Sequence, residues 1–192
     1  MGGNTLKKTL ILFILVNFSP FFPAAEDLRT VPLEMYLIID ASSAFREQKN
    51  DALSWVNGEA IDRVLMEGDV ITVWAAGDRA EIIYSGDSGD KETIKNRLLN
   101  METGGETADF TGALREVSAR LSQTGNSPSR LSVTMLVTSS AAGLQPALAG
   151  GSQGLLRWSR SLRYEGWQVL IVGPGMGPRV REAAEAYMNS RR

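Results

Sequence analysis

The stretch "LIIDASSAF", Leu37 to Phe45, stops an apolar run at a carboxylate, Asp40, and follows it with two hydroxyls, Ser42 and Ser43. Three kinds of chemistry fit that arrangement. It could hold part of a hard-oxygen shell for a divalent cation. It could present a serine nucleophile on a sharp turn. It could also use the carboxylate to accept loop amides and a serine to cap the helix that follows. The nucleophile reading is weak, because the glycines of a Gly-x-Ser-x-Gly elbow are missing. A Ser–Lys pair would need Lys49, Lys91 or Lys95, all on expected helix surfaces.

The 192 residues include no Cys and no His. Cysteine nucleophiles, thiolate metal sites, disulfides, Ser-His-Asp triads and the usual zinc sites are therefore excluded. Carboxylates, hydroxyls, a few lysines and backbone dipoles remain. That set favours a binding module over an enzyme, and no catalytic residue is assigned.

"MGGNTLKK", then the apolar "TLILFILVNF", then the helix-breaking "SPFFPAA" form the pattern of a secretory signal. The apolar run falls well short of the roughly 20 residues that cross a bilayer. The expected organisation is a signal peptide over residues 1–25, a linker over 26–32 and one domain over 33–192. The product would be periplasmic or secreted, with an uncleaved N-terminal membrane anchor as the alternative. Beyond residue 25 there are 18 basic and 22 acidic side chains. A mildly acidic domain has no electrostatic case for nucleic acid. Export without cysteine suits a bacterial protein.

The elements that must position Asp40 alternate in type. "MYLIID" reads as a strand buried on both faces. From Leu53 the positions Val56, Ala60, Ile61, Val64 and Leu65 follow one helix face, broken at "EGD". "VITVWAAGDRAEIIYSG" reads as a hairpin turning at Gly77-Asp78. A short helix over 91–101 turns Ile94, Leu98 and Leu99 inward, and Phe110, Ala113, Leu114, Val117 and Leu121 mark another. "LSVTMLVTSS" is a strand, 152–165 a helix, "WQVLIVG" a strand, and Val180, Ala184, Tyr187 and Met188 a last helix. This order implies a three-layer α/β domain around a mostly parallel five-stranded sheet with one antiparallel edge strand. The strands ending at Asp40, Thr138 and Gly173 would bring their loops to one edge, where such sheets bind ligands.

In this order, "LIIDASSA", "EGDVITVWAAGDRAEIIYSG" and "GGETADFTGALREV" resemble the von Willebrand factor A domain, over residues 33 to 190. The resemblance implies a Rossmann-like fold and a cation site at the top of the sheet, usually for Mg²⁺. An Asp and two hydroxyls come from the first loop, a Thr from the second and another Asp after a later strand. Asp40 and Ser42 match this pattern. Ala44 stands where the second serine belongs, and Ser139 where the second Asp belongs. Thr107 matches the threonine, because Gly112 then takes the usual helix position. Asp109 is a nearby carboxylate that could compensate. The resemblance thus implies a degenerate metal-ion-dependent adhesion site.

The expectation is an exported, non-catalytic domain that binds a protein partner at a rim of Asp40, Ser42, Ser43, Thr107, Asp109 and Ser139. No cofactor is expected. Any Mg²⁺ would rest on Asp40, Ser42 and Thr107, which gives a cation-dependent adhesion or assembly module as the alternative reading. A Ser/Lys or carboxylate hydrolase ranks third. Homo-oligomerisation through an exposed sheet edge stays open. "VGPGMGPR", Val172 to Arg179, has glycines between a strand and a helix but no Gly-Lys-Ser/Thr ending, and reads as a turn. "RWSRSLR", Arg157 to Arg163, reads as a solvated helix face with three arginines.

Overall fold

The computed structural model describes residues 31–124, 130–139 and 158–173. The expected signal peptide, the Gly- and Ala-rich stretch after Ser139, "PGMGPR" and the last helix lie outside these residues. So does nearly all of the expected linker.

Among the described residues, six strands form one sheet: β1 (Leu33–Asp40), β2 (Val70–Ala76), β3 (Ala80–Asp87), β4 (Leu131–Thr138), β5 (Trp158–Arg163) and β6 (Gln168–Gly173). Their order is β3-β2-β1-β4-β6-β5. β1 lies between β2 and β4 and is parallel to both. The predicted hairpin is present, with β3 antiparallel to β2 at one edge. Four strands, β1, β2, β4 and β5, share one direction.

The far side of the sheet corrects two expectations. Residues 158–163 form a strand instead of part of a helix, so the sheet has six strands and not five. β6 also runs antiparallel to β4, pairing Thr138 with Gln168. The physical reason is the turn after Arg163. Tyr164 N–H donates to Trp167 O at 2.9 Å, and Gly166 takes φ 79°, a value that favours glycine at a tight hairpin turn. Once that turn closes, 158–163 must pair back along β6. Gly173 therefore ends at the edge opposite Asp40, and the start of β6 is what reaches the rim.

The helices form two outer layers. A 3-10 turn (Ser43–Phe45) leads to α1 (Lys49–Trp55), which continues as a π-helical segment (Val56–Asp62) and stops before the "EGD" break. With α2 (Lys91–Leu99) these elements cover the face of Met35, Leu37 and Ile39, burying Phe45, Leu53, Val56, Ile61, Ile94 and Leu98. α3 (Phe110–Thr124) covers the face of Tyr36, Ile38 and Trp74, burying Phe110, Ala113, Leu114 and Val117. Alternate residues of β1 thus feed two cores, which is why its sequence is apolar throughout. Leu99, expected inward, is 57% exposed. The helix closes at Leu99, and Met101 turns into the core beyond it.

Candidate functional site

Asp40 ends β1 and is 2% exposed. Its Oδ1 accepts the Ser42 N–H at 2.9 Å, and its Oδ2 accepts the Thr138 hydroxyl at 2.7 Å. The carboxylate therefore fastens the first loop to the end of β4. Ser42 is buried, but its side chain makes no cap bond to the 3-10 turn, so the capping role expected of the serines is not used there. Ser43 is exposed, and its N–H donates to Gly105 O at 2.8 Å.

The second loop is anchored elsewhere. Thr107 is exposed, and its N–H and hydroxyl both face Asp78 Oδ1, at 3.2 and 3.4 Å. Asp78 sits in the turn between β2 and β3, so Thr107 is bonded to the hairpin and not to Asp40. Asp109 caps α3. Its Oδ1 accepts the Gly112 N–H at 2.8 Å, its Oδ2 accepts Ala80 N–H at 3.3 Å, and its own N–H donates to Gly77 O at 2.8 Å. Ser139 follows Thr138 and is half-buried. The structure thus brings Asp40 and Ser42 together with Thr138, a residue not assigned to the site beforehand. Thr107 and Asp109 join a neighbouring cluster at the β2–β3 turn.

Gly112 leaves room for the Asp109 carboxylate in that cluster. A Cβ there would lie 2.2 Å from Asp109 Oδ2. Glycine to alanine inside a helix ordinarily stabilises by up to about 1 kcal/mol. Here it must displace the capping carboxylate, and losing such a cap costs about 1–2 kcal/mol. Gly112→Ala is expected to lower stability by about 1 kcal/mol in a urea melt; a gain would show that the cap is dispensable.

The donors do not make a good Mg²⁺ shell. Mg²⁺ takes six hard oxygens in a tight octahedron. Asp40 already accepts two protein bonds, Thr107 is turned to Asp78, and Ala44 and Ser139 replace two of the implied ligands. Among the described residues, no group of three or more His, Cys, Asp or Glu side chains is placed to hold a metal ion.

The lysines considered for a Ser–Lys pair are engaged with other groups. Lys49 donates to Leu99 O at 3.2 Å and to Met101 O. Lys91 donates to Asp62 O and Leu65 O, and Lys95 bridges Asp62 and Glu92. Among the described residues, no helix is long and apolar enough to cross a membrane.

No protein-family model matches the sequence, and no curated protein matches it significantly. Several solved structures are similar. A von Willebrand factor type A protein from Catenulispora acidiphila is 18% identical, covering 53% of this chain and 25% of its own, with TM-score 0.42. The vWF domain of the type V pili tip protein Mfa5 from Porphyromonas gingivalis is 14% identical, covering 54% and 37%, with TM-score 0.41. Proximal thread matrix protein 1 from the mussel byssus is 15% identical, covering 55% and 30%, with TM-score 0.43. This chain therefore spans less than two fifths of each of those chains, and likeness of this degree carries no functional argument. The central parallel β1, its neighbours β2 and β4, the β2–β3 edge hairpin and helices on both faces give the chain a von Willebrand factor A-like fold.

Proposed function

We propose that this is an exported, non-catalytic interaction domain that docks a protein partner on the rim above β1, β2 and β4, without a tightly held metal ion. One observation carries the reading. Residues 41–45, 77–79 and 103–109 meet at one edge of the sheet and are bonded to one another, while Ser43, Asp78 and Thr107 stay exposed. A rigid edge with exposed loop side chains suits binding, because little conformational entropy is left to lose. The shortage of cation ligands around Asp40 and the engaged lysines argue against the cation-dependent and hydrolase alternatives.

The test is site-specific photo-crosslinking in the producing cells. A crosslinker at Ser43 or Thr107 should give one discrete adduct, and the same group at exposed Glu67, near the other end of β1, should not. An adduct at twice the chain mass would identify the partner as a second copy. Equal labelling from all three positions would defeat the rim assignment.

A further inference from the structure

We infer that Lys49 and Arg46 supply from within the chain the positive charge that fixes the second rim loop, so that Lys49 is a positioning residue for the partner site. Protein groups link the first loop and the start of α1 to the second loop. Lys49, in the first turn of α1, reaches Leu99 O at 3.2 Å, at the carbonyl end of α2, and Met101 O, two residues beyond it. Arg46 Nη2 donates to Thr103 O at 3.1 Å. The backbone continues the seam, with Gly104 N–H on Ala41 O at 3.0 Å and Ser43 N–H on Gly105 O at 2.8 Å. Beyond Gly105 the Asp78 and Gly77 bonds take over and hold Thr107 and Asp109. Residues 99–109 are thus held by the first loop on one side and the hairpin turn on the other.

The location is chemically apt. The last carbonyls of a helix have no intrahelical donor and carry the negative end of the dipole. An ammonium with three N–H donors satisfies them, and charge-assisted bonds are stronger than neutral ones. Lys49 is half-buried, so solvent screens it less than a fully exposed lysine. Gly104 and Gly105 offer no side chains to pack, which leaves the loop dependent on these bonds.

The inference deepens the rim reading but is tested without a partner. Amide hydrogen exchange would be followed on the full chain for Lys49→Met, which keeps an apolar stem and removes the charge. Exchange at Met101, Gly104 and Thr107 is expected to rise about tenfold or more, with Leu37 and Leu136 in the central strands unchanged. Lys91→Met is the control. Lys91 makes the same kind of bond, to Asp62 O and Leu65 O, on a different segment, so its loss should leave Met101 and Gly104 as in wild type.

Millimolar Mg²⁺ should not restore protection in Lys49→Met. Protection unchanged at Met101 and Gly104, a rise shared equally by the central strands, or recovery on adding Mg²⁺ would each overturn the inference. Failure of rim crosslinking with the exchange result intact would remove the partner reading and leave this one standing.

Discussion

Asp69→Ala is expected to lower the stability of the domain by about 3–4 kcal/mol, enough to move its melting temperature down by roughly 10 °C. Asp69 precedes β2 and is 2% exposed. Its Oδ1 accepts Leu33 N–H at 2.7 Å and its Oδ2 accepts Met66 N–H at 2.8 Å. Its own carbonyl accepts Ser88 N–H at 3.0 Å. One carboxylate therefore fastens the start of β1 to the turn that ends the first crossover, while its backbone holds the turn after β3. Alanine strands the buried Leu33 donor at about 1–3 kcal/mol, strands the part-buried Met66 donor at a smaller cost of about 1 kcal/mol, and leaves a small void. Asp69→Asn keeps one good acceptor, so about half of the loss should return. A urea melt of the three proteins decides it, and an alanine variant within 1 kcal/mol of wild type would show that these bonds contribute little.

Much of the fold was legible because its signals are local or periodic. The continuous run Met35 to Ile39 announces a strand buried on both faces, and the spacing Phe110, Ala113, Leu114, Val117 announces one helix face. Gly77-Asp78 marks its hairpin, as the antiparallel pairing of β2 and β3 bears out. The second hairpin was missed although a comparable signal was present. Leu155, Trp158 and Leu162 satisfy helical spacing, yet Trp158 and Leu162, four residues apart, also fall on one face of a strand. The deciding residue is Gly166, whose left-handed φ closes the turn and reverses β6.

The site was legible in part, for a different reason. Asp40 and Ser42 are neighbours in sequence, so their bond follows from local geometry. Thr138 lies 98 residues from Asp40 and meets it only because β1 and β4 are adjacent. Asp78 draws Thr107 away through another contact between distant segments. Lys49 was expected on a helix surface because the carbonyl it satisfies lies at the end of α2, some fifty residues later, and Arg46 drew no reading because its acceptor, Thr103 O, lies in the loop after α2. Spacing in a sequence can place a residue at the rim, but the partner of each side chain depends on the packing of the sheet.

Asp40→Ala is expected to lower stability by about 2–3 kcal/mol, and by the same amount in millimolar Mg²⁺ as in EDTA. Alanine removes the acceptor for Ser42 N–H and for the buried Thr138 hydroxyl. Hydrogen bonds to charged groups are worth about 1.5–3 kcal/mol, and relief from burying a carboxylate offsets part of their loss. Thr138→Val removes the hydroxyl at nearly constant volume and leaves Oδ2 without it. If the two residues act as one clasp, the double variant should be less destabilised than the sum of the singles, by about 1 kcal/mol or more. The cation comparison then separates a clasp from a metal site. A dication held at one hundred times its dissociation constant would stabilise the wild type by about 2.7 kcal/mol, and Asp40→Ala would forfeit that gain. Equal wild-type melts in Mg²⁺ and EDTA, with coupling between Asp40 and Thr138, leave the clasp as the role of this carboxylate. A Mg²⁺-dependent gain that disappears with Asp40 would make it a ligand instead, and the partner site would then be cation-dependent.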